Sequence, residues 1–356
     1  MLRLFSRRPS LRDAVANLET HAIPAELQER FAHFLEQARP HELFHLNPRY
    51  LAEQLRLNER RTLKLLLAGL HEGIVALHWE VRCPMCNAVD HRSTSLEHLH
   101  HDAECDNCHA QFAPHLDDEV RITFSLHERM RTLPPEADDP TFRAEVEARL
   151  GSVPGLALLV LPDFQRLFPN QRLLPDESLD VTRVALLFTD LAGSTAIYAR
   201  RGDPRAYHLV RRHFDELFAV TDRNNGTTVK TIGDAILAAF QNPLEALCAG
   251  IEMQQAIVGL NDQMRLTDDE RLMLKVGVHA GPCLSVTLND HPDYFGTTVN
   301  IAARVQSLSR GRDIVFTESI RADQDAQQIV NGRDLESSHV PLRGFDEEML
   351  VHRMIV

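Results

Sequence analysis

The chain has 356 residues, an apolar fraction of 44% and a formal net charge of −13 at pH 7. That length allows two domains that each bury a core, and the acidic balance argues against a general binder of nucleic acid or anionic membranes. The longest apolar run, residues 156–161, is far shorter than a membrane-spanning helix, and the basic start MLRLFSRRPS lacks the apolar stretch of a secretory signal. We therefore expect no transmembrane segment and a cytoplasmic protein.

Two cysteine pairs lie in the N-terminal half of the chain. Residues 11–78 read as helical, because apolar residues recur there at spacings of three and four. A short strand-like segment then leads to Cys83-x-x-Cys86, and 18 residues separate it from Cys105-x-x-Cys108. This spacing predicts a zinc ribbon with four thiolate ligands, which is a structural role because no coordination position stays open. A redox switch and nucleic-acid binding are the alternatives.

The composition changes between the two halves. A strand is predicted at 120–126, and prolines are frequent after it. We predict an N-terminal domain at 1–133, with the zinc ribbon at about 79–126. Residues 134–181 then form either a linker or a set of short packed elements. In the remaining residues, 182–356, strands alternate with helices, which indicates an α+β domain with helices covering a sheet.

The second half contains six predicted strands and several helices. A mostly apolar strand ends at Asp190, and GTTVKTIGDAILAAF reads as two strands around a tight turn at Gly233 and Asp234. The other predicted strands are LMLKVGVHAG (272–281), CLSVTL (283–288) and DIVFTES (313–319). Helices are predicted around 194–200, 204–222, 244–260 and 297–308.

Two aspartates stand out in this pattern. Asp190 ends an apolar strand, and Asp234 follows 44 residues later at the hairpin turn. A buried carboxylate without a partner is costly, and two carboxylates that converge make an oxygen-rich site for Mg²⁺ or Mn²⁺. Either aspartate taken alone reads equally well as an ordinary turn residue.

Three ordered motifs resemble those of the class III adenylyl and guanylyl cyclases. FTDLAGST (188–195) is similar to their first metal motif, VKTIGDAILAAF (229–240) to their second, and FGTTVNIAARV (295–305) to their transition-state helix. GVHAGPC (277–283) fits the strand pair between them. The resemblance implies a ferredoxin-like catalytic domain, in which helices pack on a mainly antiparallel sheet.

The resemblance also implies a role for each motif residue. In a cyclase the ribose 3′ hydroxyl attacks the α-phosphate and pyrophosphate leaves. Asp190 and Asp234 would hold two Mg²⁺ or Mn²⁺ ions per active site, with the Leu191 carbonyl as a further ligand. Asn300 matches the family asparagine that orients the ribose, and Arg304 matches the arginine that stabilises the α-phosphate. The LAGST stretch is suited to present backbone N–H groups to phosphate at the start of a helix.

The expected substrate is ATP, because Lys230 and Asp293 match the residues with which adenylyl cyclases read adenine. Only three of the 38 Lys and Arg residues are lysines, so a lysine here is informative. Guanylyl cyclases typically carry Glu and Cys at these places. Arg343 stands where many relatives use a triphosphate-binding lysine, and its geometry differs.

In this family the metal ligands and the base-reading and transition-state residues come from different subunits. A chain that carries both sets is expected to form a head-to-tail homodimer and to make cyclic AMP from ATP. A guanylate cyclase and a silent nucleotide-sensing module are the alternatives. The N-terminal half resembles an uncharacterised domain found before cyclase domains in some bacterial proteins, and its position indicates a regulatory or dimer-organising role.

Overall fold

In a computed structural model, which describes residues 10–193, 203–289 and 291–356, the chain forms two compact units. The first takes in the described residues up to Leu159 together with Asp163–Glu177, and the second consists of Val160–Pro162 and Ser178–Val356. The helix predicted around 194–200 and the end of the LAGST stretch lie outside the described residues. No helix among the described residues is long and apolar enough to cross a membrane.

Helices and single 3₁₀ turns make up most of the chain before residue 178. The α-helices are α1 Leu11–Ala16, α2 Ala25–Gln37, α3 Pro48–Gln54, α4 Glu59–His71, α5 Pro140–Leu150, α6 Leu156–Leu159 and α7 Pro162–Leu167. The 3₁₀ turns are Asn17–His21, Pro40–Glu42, Leu96–His98 and Pro135–Ala137. Asn58 caps α4, because its side chain accepts a hydrogen bond of 2.8 Å from the backbone N–H of Arg61.

The helical prediction for 11–78 is wrong over its last residues. Helix α4 ends at His71, the backbone turns at Gly73 with φ +68°, and a strand begins at Val75. The segment VALHWEVR alternates between buried and half-buried side chains over much of its length, so burial in a sheet outweighs the helical spacing.

A small antiparallel sheet forms the other half of the first unit. The strands are β1 Val75–Arg82, β2 Val89–Ser93, β3 Ala103–Glu104, β4 Gln111–Phe112 and β5 Val120–Leu126. The order in the sheet is β2-β1-β5, and β3 pairs with β4 separately. Strand β5 confirms the prediction for 120–126.

The predicted connection at 134–181 contains packed elements. Its side chains Leu156 and Phe164 are fully buried, and the Phe164 ring lies edge-on to Trp79 of β1 at 6.0 Å between centroids. Apart from Val160–Pro162, these residues belong to the first unit as far as Glu177, and the chain enters the large sheet at Ser178.

The second unit is built on one large sheet. Its strands are β6 Ser178–Leu191, β7 Thr227–Ile232, β8 Ala235–Phe240, β9 Leu274–Leu288, β10 His291–Phe295, β11 Asp313–Thr317, β12 Leu335–Pro341 and β13 Glu348–Ile355. Its helices are α8 Asp203–Arg223, α9 Pro243–Gln263, α10 Thr297–Ser307, α11 Glu318–Arg321 and α12 Gln327–Val330. The strand order is β12-β13-β11-β9-β6-β8-β7, with β10 also paired to β9. Only the β11–β9 pair of this sheet is parallel among the described strands, so the predicted α+β class is confirmed.

The two strands predicted at 272–281 and 283–288 are one strand, β9. The sequence predicts the break at Pro282. In the structure Pro282 lies where the register between β6 and β9 shifts, between Val181 and Val184 of β6. A proline has no N–H to donate, and an irregularity of the ladder accommodates it without ending the strand.

Helices cover both faces of the large sheet. Successive residues of a strand point to opposite faces, and Ile314 of β11 packs in the cluster with α8 and α9 whereas Val315 packs with α10. Helix α10 lies very close to β9, since a Cβ atom added to Gly277 would be 2.2 Å from the backbone nitrogen of Gln306. The sheet therefore supports α10, the predicted transition-state helix, directly.

Candidate active site

Asp190 and Asp234 meet at one end of the β6–β8 strand pair. Asp190 is the penultimate residue of β6, and Asp234 lies in the turn between β7 and β8, where Gly233 has φ +65°. The hydroxyl of Thr189 accepts a 3.1 Å hydrogen bond from the N–H of Ile236 and ties the two strands together. The tight turn predicted from the sequence is confirmed, and it places the second aspartate beside the end of β6.

The electrostatics of this pair fit a divalent cation. Burial raises the pKa of Asp190, and the charge of Asp234 raises it further. The Oδ2 atom of Asp234 is buried and has no hydrogen-bond partner among the described residues. Two carboxylates that disfavour each other's charge, one with an unsatisfied buried oxygen, are the environment that a hard cation such as Mg²⁺ or Mn²⁺ relieves. Leu191 follows Asp190 as the last residue of β6 and its side chain is buried.

Lys275 is a site residue that the sequence reasoning missed. It lies directly opposite Asp190 in the antiparallel β6–β9 register, and its charge counteracts the rise in the pKa of Asp190. Lys275 is one of only three lysines in the chain. That scarcity was the available signal, since it applies to Lys275 as much as to Lys230.

Lys230 and Asp293 are in direct contact. The ε-ammonium group of Lys230, on β7, donates a hydrogen bond to Oδ2 of Asp293, on β10. The other carboxylate oxygen accepts from the backbone N–H of Tyr294 at 2.8 Å. The Asp293 side chain is 7% exposed and that of Lys230 is 39% exposed. The pair therefore offers a donor and an acceptor side by side, with the acceptor held by its own backbone.

Helix α10 presents the next two predicted residues. Asn300 and Arg304 are both exposed, and a spacing of four places them on the same helix face. Arg343 is exposed in the loop between β12 and β13. Its neighbour Leu342 packs in one cluster with Ile301 of α10, which brings that loop to the helix.

The predicted residues thus form three local groups in the second unit: the aspartate pair, the Lys230–Asp293 pair and the face of α10. No hydrogen bond or ion pair among the described residues joins one group to another. Each group is organised by its own backbone, and the chemistry of each differs: cation binding, donor–acceptor recognition and anion contact. A site that needs all three requires them to meet around a common ligand.

His213 is a further polar residue near the aspartates. It is fully buried on α8, and burial lowers its pKa to about 4, although the charge of Asp234 acts in the opposite direction. Leu209 and Leu217, four residues to either side, are also buried. A single histidine in an apolar stripe of that spacing could have been noticed in the sequence.

The four cysteines of the first unit form one cluster. The Sγ atoms of Cys83 and Cys108 are 3.6 Å apart, as are those of Cys86 and Cys105, and all four lie within 4.8 Å of one another. Tetrahedral Zn²⁺ with Zn–S bonds of about 2.3 Å separates its sulfurs by about 3.8 Å. The observed spacing suits such an ion and is too long for a disulfide.

The two cysteine turns have the same backbone design. Asn87 follows the first pair with φ +59°, and His109 follows the second with φ +56°. In each turn the N–H of that residue donates to the carbonyl of the first cysteine of its pair, at 2.9 and 2.8 Å. The repeated geometry aims both pairs of sulfurs at one point, which is consistent with a zinc-ribbon-like site.

Two family models match the chain. The model described as adenylate and guanylate cyclase catalytic domain matches residues 177–351, and the model of a family of unknown function, DUF5939, matches residues 11–148. The chain is similar to an adenylate cyclase of Anabaena cylindrica, with 25% identity over 286 residues that cover 69% of this chain and 56% of the relative.

Other relatives include guanylate cyclases. A receptor-type guanylate cyclase, gcy-4, of Caenorhabditis briggsae is 27% identical over 206 residues, which cover 55% of this chain and 18% of the relative. Among solved structures, the adenylyl cyclase CyaB from P. aeruginosa matches with 19% identity and a TM-score of 0.45, over 51% of this chain and 96% of that one. The chain spans little more than half of the Anabaena relative and a fifth or less of the gcy-4 relative. Similarity alone therefore does not decide between ATP and GTP.

Proposed function

Residues 177–351 belong to the class III adenylate/guanylate cyclase family and follow a DUF5939 domain, and from this premise we propose that the protein is an adenylate cyclase. It converts ATP to 3′,5′-cyclic AMP and pyrophosphate. The oxygen of the ribose 3′ hydroxyl attacks the α-phosphorus, the hydroxyl loses its proton, and the bond from the α-phosphorus to the pyrophosphate oxygen breaks.

The single observation that carries the choice of ATP is the contact between Lys230 and Asp293. Adenine offers an acceptor at N1 and a donor at its 6-amino group, so an ammonium group beside a carboxylate complements it. Guanine has the reverse pattern at the same edge and would place donor against donor and acceptor against acceptor. Asp293 is held by the N–H of Tyr294, which keeps the acceptor in place when Lys230 turns to the base.

Asp190 and Asp234 are proposed to hold the metal ions, with the Leu191 carbonyl as a further ligand. Two bound Mg²⁺ or Mn²⁺ ions would lower the pKa of the 3′ hydroxyl and neutralise the triphosphate. The aspartates supply the negative charge that concentrates the cations. Burial and the neighbouring charge of Asp234 raise the pKa of Asp190, and a bound cation would offset both effects.

Asn300 and Arg304 are proposed to act on the ribose and the α-phosphate, and Arg343 on the triphosphate. All three are exposed, so a phosphate-bearing ligand can reach them, and a guanidinium group is suited to phosphate oxygens. Because these residues and the aspartate pair form separate groups in one chain, we propose that a head-to-tail homodimer combines them into two shared sites.

Exposed apolar side chains beside the base-reading pair support the dimer. Ile232 is 49% exposed two residues after Lys230, and Phe295 is 63% exposed two residues after Asp293. Large apolar residues at such exposure commonly mark an interaction surface when they lie together. Covering them with a partner subunit would also exclude water from the bound base.

The test is product formation by the full-length protein. Purified protein with Mn²⁺ is given ATP or GTP, and cyclic AMP and cyclic GMP are separated and quantified. Cyclic AMP as the main product supports the proposal, and cyclic GMP as the main product contradicts the ATP assignment. Binding of ATP without either product would identify a nucleotide-sensing module.

For the first unit we propose a structural Zn²⁺ held by Cys83, Cys86, Cys105 and Cys108. Four thiolates complete a tetrahedral shell and stabilise the two turns that carry them. A regulatory or dimer-organising role for this unit, and a cytoplasmic location in which the thiols stay reduced, are part of the same proposal.

A further inference from the structure

A second group of metal-ligand side chains lies in the first unit, apart from the four cysteines. It consists of His21, His71 and Glu72. The Nε2 atom of His21 is 2.9 Å from Oε1 of Glu72, and the Nδ1 atom of His71 is 3.3 Å from the same oxygen. One ligand atom from each of the three residues lies within 4.8 Å of the other two.

The backbone holds these residues at the ends of two elements. His21 is the last residue of a 3₁₀ turn that Ala22 closes in the left-handed region, with φ 56°. His71 is the last residue of α4, and Glu72 caps that helix, with its N–H donating to the Ala68 carbonyl at 3.0 Å. The side chains therefore converge because the two ends meet.

The spacing and the chemistry fit a transition metal. A tetrahedral ion with bonds of about 2.0–2.1 Å separates its ligand atoms by about 3.3 Å. The His71–Glu72 separation of 3.3 Å matches that value, and the His21–Glu72 separation of 2.9 Å is shorter, so His21 would move slightly away from Glu72 to admit the ion. A simple ion pair needs only one imidazole on a carboxylate, whereas two imidazoles share Oε1 of Glu72 here. Imidazole nitrogens select Zn²⁺ and its neighbours over Mg²⁺ or Ca²⁺.

The site is preorganised and accessible. Hydrogen bonds from His21, His71 and Asn17 keep the pKa of Glu72 below its ordinary value although burial opposes them, so the carboxylate is charged. The His21 and Glu72 side chains are 11% and 20% exposed, and that of His71 is 45% exposed. An ion can enter from the His71 side without displacing the core.

We propose that His21, His71 and Glu72 bind a divalent transition metal of the Zn²⁺ class, with three protein ligands and one position open to water or an added ligand. This site differs in kind from the cysteine cluster, where four thiolates fill the shell. The proposal does not depend on the cyclase assignment, and its test does not use activity.

Co²⁺ reports which ligands surround it. The full chain carrying Asp190→Asn and Asp234→Asn, which remove the carboxylates proposed to bind cations in the second unit, is prepared with one equivalent of Zn²⁺, which the four cysteines retain, and is then titrated with Co²⁺. The expected result is one further equivalent bound, with visible d–d bands and without the thiolate-to-cobalt charge-transfer absorption. Charge-transfer absorption alone, or no second equivalent, would show that only the cysteine cluster binds metal.

Four variants assign the ligands. In the protein already loaded with Zn²⁺, His71→Ala and Glu72→Gln should each weaken the affinity for Co²⁺ at least tenfold, whereas His33→Ala, which removes an exposed histidine of α2, should leave that affinity unchanged. Cys105→Ser should abolish Zn²⁺ binding at the four cysteines and leave Co²⁺ binding at the three-residue site intact. Thermal unfolding of each apo variant identifies any that fail to fold. An unchanged second affinity in folded His71→Ala and Glu72→Gln overturns the proposal.

Discussion

Lys230 and Asp293 are 63 residues apart in the sequence, and the ammonium group of the first donates to the carboxylate of the second. Each satisfies the other in the free protein, so in the proposed role a base would replace this one contact with two. The contact leaves neither charged group unpaired in the free protein. A base with the wrong hydrogen-bonding pattern would bind weakly, because it would separate the two groups and leave both without a partner.

Removing either member should therefore impair the use of ATP. Lys230→Ala and Asp293→Ala are each expected to lower kcat/KM for ATP by about 10- to 100-fold, which corresponds to the loss of a hydrogen bond to a charged group. Steady-state kinetics measures this, with Lys64→Ala in the first unit as a control for the loss of a lysine. The double variant Lys230→Glu, Asp293→Cys should shift preference toward GTP. Unchanged ATP kinetics in both single variants would contradict the base-reading role.

We expect Asp190 to lower the stability of the metal-free protein while it contributes to metal binding. Because its pKa is raised in the folded state, the unfolded chain gives up the proton first as pH increases, so the charged carboxylate destabilises the fold at neutral pH. Asp190→Asn should thus raise Tm in EDTA by about 1–3 °C, a small effect because the group is partly exposed.

In the same variant, Mn²⁺ should no longer raise Tm. Its cyclase activity should be at least 100-fold lower than that of the wild type. Differential scanning fluorimetry with and without Mn²⁺ measures the first effect. Asp215→Asn, an exposed residue of α8, is the matched control. A full response of Asp190→Asn to Mn²⁺ would argue against metal binding at the aspartate pair.

Mixed dimers test the shared site. Asp190→Ala chains and Arg304→Ala chains should each be inactive alone. If subunits exchange at random, half of the dimers are mixed and each has one intact site of two, so about a quarter of the wild-type activity should return. Differently tagged chains, co-expressed and purified through both tags, give the mixed dimer directly. A mixed dimer that forms and stays inactive would exclude the shared-site arrangement.

Acid should destabilise the second unit through two buried histidines. Burial lowers the pKa of His213 and that of His279 to about 4 each. The unfolded chain therefore takes up protons first as pH falls below about 6.5, and the free energy of unfolding decreases until about pH 4. Between pH 7.5 and pH 5 the expected loss is about 2 kcal/mol for each histidine. His213→Leu should reduce the pH dependence of Tm, whereas His208→Leu, at an exposed position of α8, should not.

Most of the elements that could be predicted from the sequence follow from patterns among neighbouring residues. The hairpin at Gly233, the helices α9 and α10 and the strand at 120–126 follow from periodicity and turn chemistry, whereas the roles of the motif residues of the second unit remain predictions. The errors arose where distant parts of the chain decide the outcome. Strand β9 continues through Pro282 because the register of β6 shifts there.

The sequence also does not show which residues that are far apart along the chain lie close together in the fold. Lys275 faces Asp190 only through the pairing of β6 and β9, and His21 meets Glu72 only because two elements end together. No spacing rule links such positions. The sequence predicts that Lys230 and Asp293 both read adenine, but the direct contact between them is shown only by the structure.

Gly277 has no side chain, and this allows the helix that carries Arg304 to lie close against β9. With a Cβ atom 2.2 Å from the Gln306 nitrogen, even alanine would lift the C-terminal end of α10 away from β9. The strand whose Lys275 faces Asp190 is also the surface on which α10 packs, so a change at Gly277 would shift the helix relative to that strand. Gly277→Ala should therefore slow turnover while metal affinity at the aspartates stays intact.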